Sequence, residues 1–489
     1  MRKSLKALER DMDHALTYAA WRDAGEEHDR LSGAADWRAD DRSTGYDYEL
    51  IRLRLAEIRN ARERHDVNRL VFHLHEGLHG NLGNIANPAL YNVAKVGTKH
   101  LIESYLDEVC SALEYLCNGD FIEFRFREKL DFFKTTGGAY GRSALMLSGG
   151  AALGLFHMGV LKALHEENLL PQVVSGSSAG SIMAGVIGTH EDGSLLEMLK
   201  PENLYLNAFR YVGFRGVFKG KPFLDGAHLE ACLEENIPDM TFEEAFNKTG
   251  RAINVTVSPY DRHQDARLLN ARTSPNVLVR KAVLASCAVP AVFPPVTLWA
   301  KNVNGEKVPY IPTRKWVDGS IKDDLPIRRL QRLYGVNHSI VSQTNPHVVP
   351  FMSRANHQRG AAHQLRRVAF ANISLNVNLA LEFVQNGIKW SNDLGLLVDK
   401  AQSVIAQAYV GDINIIPPRR PTNVLRIFSN PQIDDVREFI ETGERSTWPR
   451  IEMIRNSTRI SRTFHDCLEK LRAHEAERLA RPLKLASRG

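Results

Sequence analysis

Residues 145–180 decide the fold, and they read LMLSGGAALGLFHMGVLKALHEENLLPQVVSGSSAG. The stretch begins with an apolar run, passes through a glycine-rich turn into an apolar helical pattern, and returns to a second apolar run. This order is typical of a strand, a crossover helix and a parallel neighbouring strand. The carboxyl ends of such strands meet at one edge of a sheet, where the sites of α/β proteins form. The sequence therefore predicts that the glycine turn and the serine-rich turn, SGSSAG, share a site.

The composition of the chain is that of a globular protein. Its 489 residues are 43% hydrophobic and 25% charged, which suits a sizeable core, and the net charge is +6. A solvated helix face explains the basic excess near the C-terminus, and we expect no nucleic-acid partner. Five scattered cysteines predict no disulfide framework and favour a reducing compartment. The first residues lack the pattern of a secretory signal, so we expect a cytoplasmic location.

Two uncharged stretches, 144–161 and 168–189, approach the length of a membrane span. Both are interrupted by several glycines and polar residues. We therefore interpret them as buried strand–turn–helix units and expect no transmembrane helix.

Three regions follow from the change of pattern along the chain. Helical spacing of apolar residues at 48–64 and 96–116 predicts a helical N-terminal domain. A glycine pair at 135–142 marks its boundary, and beyond it short apolar runs alternate with helical patterns, as in a parallel sheet. The predicted strands are 144–147, 172–175, 252–257, 339–341 and, after them, 412–416. The predicted domains are 1–135 (helical), 143–346 (α/β, catalytic) and 347–489 (mainly helical and basic).

Ser178 lies directly after the second predicted strand, in the pattern Gly176-x-Ser178-x-Gly180. A nucleophile at a sharp strand-to-helix turn needs small neighbours where the backbone bends back on itself. The helix that follows offers its positive N-terminal end to an oxyanion. A purely structural turn explains the same pattern equally well, so this motif alone leaves both interpretations open.

The glycine turn runs from Gly149 through Gly150 and Ala151, between an apolar strand and an apolar helix. Free backbone N–H groups at such a helix start bind anions. A dinucleotide-binding loop is the competing interpretation, but Ala151 stands at its third glycine and no acidic residue ends the next strand. A single crossover places this turn beside Ser178, an arrangement that supplies an oxyanion hole beside a nucleophile.

The base that would activate Ser178 is not obvious from the local sequence. Asp318, in the triplet Asp318-Gly319-Ser320, follows a short apolar run, which places its carboxylate at a strand end. An Asp-Gly pair is, however, more often only a turn. A histidine base is the usual alternative, but no local sequence pattern indicates that any histidine after Ser178 lies near the serine in the fold. These histidines include His190, His338, His347, His357 and His363.

In combination, the three motifs resemble the patatin-like phospholipase family. The resemblance rests on their order along the chain and on the connecting segment ASCAVPAVFPPV at 285–296. It implies a patatin-like three-layer α/β sandwich with a mostly parallel central sheet. Ala151 stands where the family usually has glycine, and Ser320 stands where it usually has glycine or alanine. Both replacements are small.

The resemblance also implies the roles of the site residues. Family members use a serine–aspartate dyad without histidine, which makes Ser178 the nucleophile and Asp318 its base. The N–H groups of Gly149, Gly150 and Ala151 then form the oxyanion hole, and no cofactor or metal is required.

The segments at 77–91, 132–151 and 341–351 are similar to one subgroup, the triacylglycerol lipases with an extra N-terminal domain of unknown function. This similarity implies a lipase that cleaves triacylglycerol at a membrane or lipid-droplet surface, to which it binds peripherally. A phospholipase A or lysophospholipase is the alternative. The oligomeric state does not follow from the sequence.

Two alternatives belong to other classes. Residues 75–79, HEGLH, match the H-E-x-x-H pattern of zinc proteases, with Glu103 as a candidate third ligand. Nearby glycines predict a poor helix there, so we favour a structural role and predict no metal site. A non-catalytic lipid-binding protein is disfavoured because every dyad and loop residue is present. The segment 366–390 is a candidate lipid contact, although burial in a core explains it at least as well.

Overall fold

The computed structural model describes residues 3–205, 207–212, 222–261, 264–290, 292–345, 410–418 and 429–486. The candidate lipid contact at 366–390 lies outside these residues, as do His347, His357 and His363. Two compact units are present, the first formed by Met1–Ser143, Tyr334–His338 and Trp448–Gly489, the second by Ala144–Leu333 and Ser339–Thr447. The division into domains 1–135, 143–346 and 347–489 stays a prediction.

The elements are numbered along the described chain. The helices are α1 (Leu5–Asp13), α2 (Tyr18–Ser32), α3 (Ala34–Ala39), α4 (Tyr48–Glu63), α5 (Val67–Gly77), α6 (His100–Asn118), α7 (Phe126–Tyr140), α8 (Phe156–Glu166), α9 (Ala179–Thr189), α10 (Asp192–Met198), α11 (Gly226–Asn236), α12 (Phe242–Thr249), α13 (Val279–Cys287), α14 (Ser320–Asp323), α15 (Ile327–Tyr334), α16 (Ile433–Thr447) and α17 (Ile451–Ala486). The strands are β1 (Arg142–Leu147), β2 (Val173–Gly176), β3 (Ala252–Pro259), β4 (Arg267–Leu269), β5 (Trp299–Lys301), β6 (Lys307–Pro309), β7 (Trp316–Asp318), β8 (Val336–Ser342) and β9 (Ile413–Ile415).

The first unit is helical, as the spacing of its apolar residues predicts. Asp47 caps α4 by accepting a hydrogen bond from the Leu50 N–H. The apolar stripe of α6 is buried, and Ile102, Val109 and Leu113 are fully enclosed. The glycine pair that marks the predicted boundary lies inside α7, which continues to Tyr140. Gly137 there lies against the Phe464 ring, since an added methyl group would come within 3.1 Å of it.

The second unit is built on a sheet with the strand order β4-β3-β2-β1-β8-β9. β1 pairs with β2, β2 with β3, and β8 with β9, all in parallel. The five predicted strands are therefore confirmed as β1, β2, β3, β8 and β9. β4 and β7 pair with β3 in the antiparallel sense. The mixed α/β fold with a mostly parallel sheet, a helical N-terminal region and a helical C-terminus is confirmed.

Helices cover the sheet and each other at close range. α9 packs on β2 and β3, and α13 packs on β3 and β7. α8 crosses α16 at a contact where only glycine fits: a methyl group on Gly159 would meet the Ile440 carbonyl oxygen, and one on Gly443 the Phe156 carbonyl oxygen. Residues far along the chain thus complete the core of the second unit.

The uncharged stretches at 144–161 and 168–189 form β1 with α8 and β2 with α9, which confirms their interpretation as strand–turn–helix units. Among the described residues, no helix is long and apolar enough to cross a membrane.

The position of β7 decides where Asp318 lies. Val257 of β3 pairs with Arg267 of β4 on one side and with Asp318 of β7 on the other. β2 occupies that second side as far as Val255, which pairs with Gly176. The carboxyl ends of β2 and β7 therefore approach each other along the same edge of β3. Their partners in β3, Val255 and Val257, are two positions apart.

Candidate active site

Ser178 sits at the turn between β2 and α9 in a backbone conformation that side chains rarely adopt, with φ 49° and ψ −123°. The Ser177 N–H donates to the Leu147 carbonyl oxygen at 3.1 Å, and the Ser178 N–H donates to Ser286 Oγ at 2.9 Å. Strained backbone of this kind persists only where its surroundings hold it, and it concentrates at functional sites. The half-buried Ser178 side chain lines the cavity described below.

The two glycines of the serine turn are required by close backbone contacts. A methyl group on Gly176 would lie 2.3 Å from the Gly180 carbonyl oxygen, and one on Gly180 would lie 2.1 Å from the Leu147 carbonyl oxygen. Real contacts of this type are longer than 3 Å, so neither position accepts a larger residue without moving main chain. The chain can fold back over the end of β1 only because both residues lack a side chain.

The glycine turn lies beside the serine, as its position after β1 predicts. A methyl group on Gly149 would be 3.3 Å from Ser178 Cβ and 3.6 Å from Ser320 Cβ. Gly149 is therefore in contact with both the serine turn and the Asp-Gly-Ser turn. Ala151 has φ 47°, in the region that favours glycine, and begins a short 3₁₀ helix, Ala151–Leu155, that leads into α8.

Asp318 ends β7 and is 3% exposed. Its Oδ1 accepts a hydrogen bond from the Ser320 N–H at 2.7 Å, which fixes the carboxylate at the start of the turn. Gly319 permits this turn because an added methyl group would lie 2.6 Å from the Thr256 main chain. Burial raises the pKa of the Cys287 thiol, and the charge of Asp318 raises it further. The Asp318 N–H donates to the carbonyl oxygen of Ala288, the residue after Cys287, at 3.0 Å, and Cys287 lines the same cavity as Ser178.

The cavity beside Ser178 has a volume of about 100 Å³ and is mainly apolar. Its walls include residues of α9, α11 and the segment after α13, among them Ile182, Met183, Leu229, Leu233 and Phe293. A hydrocarbon chain matches such a lining, because apolar walls stabilise apolar groups removed from water.

Within the described part of the chain, no histidine lines this cavity. His157 is the one that the structure brings to the glycine turn, and it is fully buried behind it. Its Nδ1 hydrogen-bonds Ser342 Oγ at 2.7 Å, and its Nε2 hydrogen-bonds the Ser148 carbonyl oxygen at 3.0 Å. Burial lowers the pKa of His157 to about 4. Both ring nitrogens are thus engaged in supporting the loop.

Two residues at the site have no sequence motif that would reveal them. Ser286 holds the Ser178 N–H from 108 positions away, within the segment 285–296. Asp324 accepts a hydrogen bond at Oδ1 from the Gly149 N–H at 3.0 Å. The sequence marks Asp324 only as one of two adjacent acidic residues, Asp323 and Asp324, that follow the Asp318-Gly319-Ser320 triplet. Of the three N–H groups expected to form an oxyanion hole, that of Gly149 is therefore engaged by Asp324.

The zinc-protease alternative lacks the geometry it needs. α5 ends at Gly77, so that His75 and His79 do not lie one turn apart on a helix. His75 Nδ1 hydrogen-bonds Thr136 Oγ1 at 2.8 Å, while Glu103 pairs with Arg38 at 3.1 Å. Among the residues that the structure describes, no group of three or more His, Cys, Asp or Glu side chains is placed to hold a metal ion.

The fold and the site define an α/β protein whose glycine turn, serine turn and buried aspartate converge at the carboxyl edge of a mostly parallel sheet. Comparison with protein-family models gives two matches. Residues 1–137 match a domain of unknown function (DUF3336), and residues 145–330 match the patatin-like phospholipase model.

Curated relatives match almost the whole chain. A triacylglycerol lipase of Schizosaccharomyces pombe is 35% identical over 93% of this chain and 95% of its own length. Triacylglycerol lipases of Arabidopsis thaliana and Saccharomyces cerevisiae are each 34% identical over 94% and 91% of this chain, which spans only 58% and 51% of their lengths. Among solved structures, VipD from Legionella pneumophila is 15% identical with a TM-score of 0.33, over 64% of this chain and 66% of its own. The chain belongs to the patatin-like phospholipase family, in the group whose members carry the N-terminal domain of unknown function.

Proposed function

We propose that this protein is a serine acyl hydrolase that cleaves the carboxylic ester bonds of triacylglycerol. The observation that carries the proposal is the meeting of the Ser178 turn with the carboxyl end of β7 along one edge of β3, beside an apolar cavity. The names of the matched relatives support triacylglycerol as the substrate.

In the proposed reaction Ser178 Oγ attacks the ester carbonyl while Asp318 accepts its proton. The resulting oxyanion is held by the N–H groups of Gly150 and Ala151, with Gly149 kept in place by Asp324. Asp318 then gives the proton to the leaving alcohol, and an acyl-enzyme remains. Water attacks this acyl group, passing a proton through Asp318 back to Ser178, and the fatty acid is released. Each step conserves atoms and charge within the dyad and the substrate.

A second substrate class is favoured by one observation: the family model that matches 145–330 is described as a patatin-like phospholipase. Phospholipid and triacylglycerol both present an acyl ester beside hydrocarbon, and the described cavity suits the acyl chain of either. The protein would act on them at a membrane or lipid-droplet surface. The five cysteines are free and buried, which supports a reducing, cytoplasmic setting.

The test measures fatty-acid release from emulsified triacylglycerol and from phosphatidylcholine vesicles in parallel. The Ser178→Ala variant should release none from either lipid, whereas the control Ser194→Ala, changed at an exposed serine of α10, should match the unmodified protein. The ratio of the two wild-type rates identifies the substrate class. Release that persists in Ser178→Ala would refute the proposal.

The role of Asp318 has its own test. Asp318→Asn preserves the shape of the side chain and the oxygen that accepts from the Ser320 N–H, so the fold should survive. Turnover should fall by about 10³-fold or more, because the variant loses the general base that activates the nucleophile. Asp323→Asn, five positions on, is the matched control and should keep the wild-type rate. A near wild-type rate in Asp318→Asn would place the base elsewhere.

A further inference from the structure

Asp324 links the two turns that form the proposed site. Its Oδ1 accepts the hydrogen bond from the Gly149 N–H at 3.0 Å, and its main-chain carbonyl accepts one from Ser177 Oγ at 2.9 Å. The residue is 1% exposed. One buried residue therefore holds both the start of the glycine turn and the residue immediately before Ser178.

The glycine turn is held from its opposite side by Thr344. Thr344 Oγ1 donates to the Gly149 carbonyl oxygen at 3.2 Å, and its N–H donates to Ser148 Oγ at 2.8 Å. Gly150 packs against the same residue, because an added methyl group would lie 3.0 Å from Thr344 Cβ. The Gly149 residue is thus fixed at its N–H by Asp324 and at its C=O by Thr344. The N–H groups of Gly150 and Ala151 follow directly after this doubly held residue.

We propose that Asp324 is a positioning residue of the active site, whose ionised carboxylate holds Gly149 so that the N–H groups of Gly150 and Ala151 face the oxyanion. The inference rests on the proposed acyl-hydrolase function. It assigns to Asp324 no contact with substrate. A hydrogen bond to an ionised carboxylate is about twice as strong as one between neutral groups, so the hold on the loop depends on the charge of Asp324.

The charge of Asp324 changes within an accessible range of pH. Burial raises the pKa of Asp324 to about 7, and the carboxylates of Asp318 and Asp323 act in the same direction. The hydrogen bonds from the Gly149 N–H and the Asn345 side chain oppose this rise. From α8, His157 faces the same loop and stays neutral in this range because its pKa is lowered to about 4. Arg329 lies beyond Asp323, with 3.4 Å between Arg329 Nε and Asp323 Oδ2.

The sign of the effect follows from these groups. As the pH falls through about 7, Asp324 takes up a proton and its hydrogen bond from Gly149 weakens. The oxyanion donors then lose their fixed orientation, and kcat falls. The pH profile of kcat should therefore include an acid limb that belongs to Asp324.

Two variants and one control separate this role from a purely structural one. Asp324→Asn keeps an acceptor oxygen for Gly149 but carries no charge, so its activity should persist at reduced level while the limb near pH 7 disappears. Asp324→Leu removes the acceptor, and kcat should fall about 10²-fold with little change in KM, the usual cost of misplacing a reacting group by about 1 Å. Asp323→Asn should keep the limb but move it to lower pH, because the Asp323 carboxylate no longer raises the pKa of Asp324.

The experiment measures kcat and KM for a soluble short-chain ester between pH 5 and 9, with circular dichroism to check folding. A wild-type limb in Asp324→Asn would overturn the inference, and this variant decides the question if Asp324→Leu fails to fold. A kcat within about twofold of wild type in folded Asp324→Leu would also overturn it. Ser178→Ala is measured alongside. Hydrolysis that survives in Ser178→Ala refutes the proposed function itself. If Ser178→Ala is inactive but the Asp324 variants behave like the wild type, only the positioning role is refuted.

Discussion

Replacing Gly180 by alanine should damage the site through the main chain of β1. The new methyl group would lie 2.1 Å from the Leu147 carbonyl oxygen, 2.6 Å from its carbonyl carbon and 2.7 Å from the Ser148 carbonyl oxygen. All three atoms belong to the backbone, so relief requires the end of β1 and the start of α9 to separate by about 1 Å to reach ordinary contact distances.

The displaced residues lead directly into Gly149, and the shift is therefore passed to the oxyanion loop. We expect a loss of about 1–3 kcal/mol in the free energy of unfolding, typical of overpacking, and a fall in kcat of about 10²-fold. The assay is hydrolysis of a soluble short-chain ester together with urea unfolding followed by circular dichroism.

Gly193→Ala is the control. Gly193 lies exposed in α10, where an added methyl group has nothing within 4 Å. Its stability should be unchanged or higher by less than about 1 kcal/mol, with the wild-type rate. If Gly180→Ala showed wild-type rate and stability, the close approach of α9 to β1 that underlies the site would be refuted.

Two further predictions concern the buried supports of the site. Ser286→Ala removes the acceptor of the Ser178 N–H, so the free energy of unfolding should fall by about 1–3 kcal/mol and kcat should also fall. Urea unfolding and ester hydrolysis measure these two effects. An unaltered kcat would show that Ser286 does not hold the serine turn. His157 has its pKa lowered from 6.5 to about 4, so its neutral form stabilises the fold fully above pH 6.5 and by progressively less as the pH falls toward 4. The total loss in the free energy of unfolding over this range is about 3 kcal/mol, and it should be missing from urea unfolding of His157→Gln. The same pH dependence in both proteins would contradict the burial of a neutral ring.

The sequence predicts the parallel part of the sheet well because its signals are local. Each apolar run from 144 to 341 is followed by its own turn, and a right-handed crossover places consecutive strands side by side. The same rule brings Gly149 to Ser178. These features need no information about distant contacts.

The antiparallel strands could not be predicted in this way. β7 has three residues and joins β3 at the edge that β2 leaves free beyond Val255, a position that depends on where β2 ends. The local pattern places Asp318 at a strand end, but its approach toward Ser178 from the opposite direction follows only from this pairing.

The supports of the site are also long-range. Ser286 holds the serine turn through a hydrogen bond that spans 108 positions, and Asp324 holds the glycine turn through one that spans 175. No periodicity or spacing encodes such a bond. The glycine pair at 137 and 138 marks the predicted domain boundary, yet α7 continues through it to Tyr140, with Gly137 against the Phe464 ring.

The most direct test of the central claim is covalent labelling with a fluorophosphonate ester, followed by peptide mass mapping. This probe phosphonylates activated serines and displaces fluoride. We predict one adduct per chain, located on Ser178, at a rate that falls about 10³-fold or more in Asp318→Asn and is unchanged in Asp323→Asn. An adduct on another serine, or wild-type labelling of Ser178 in Asp318→Asn, would contradict the serine–aspartate site.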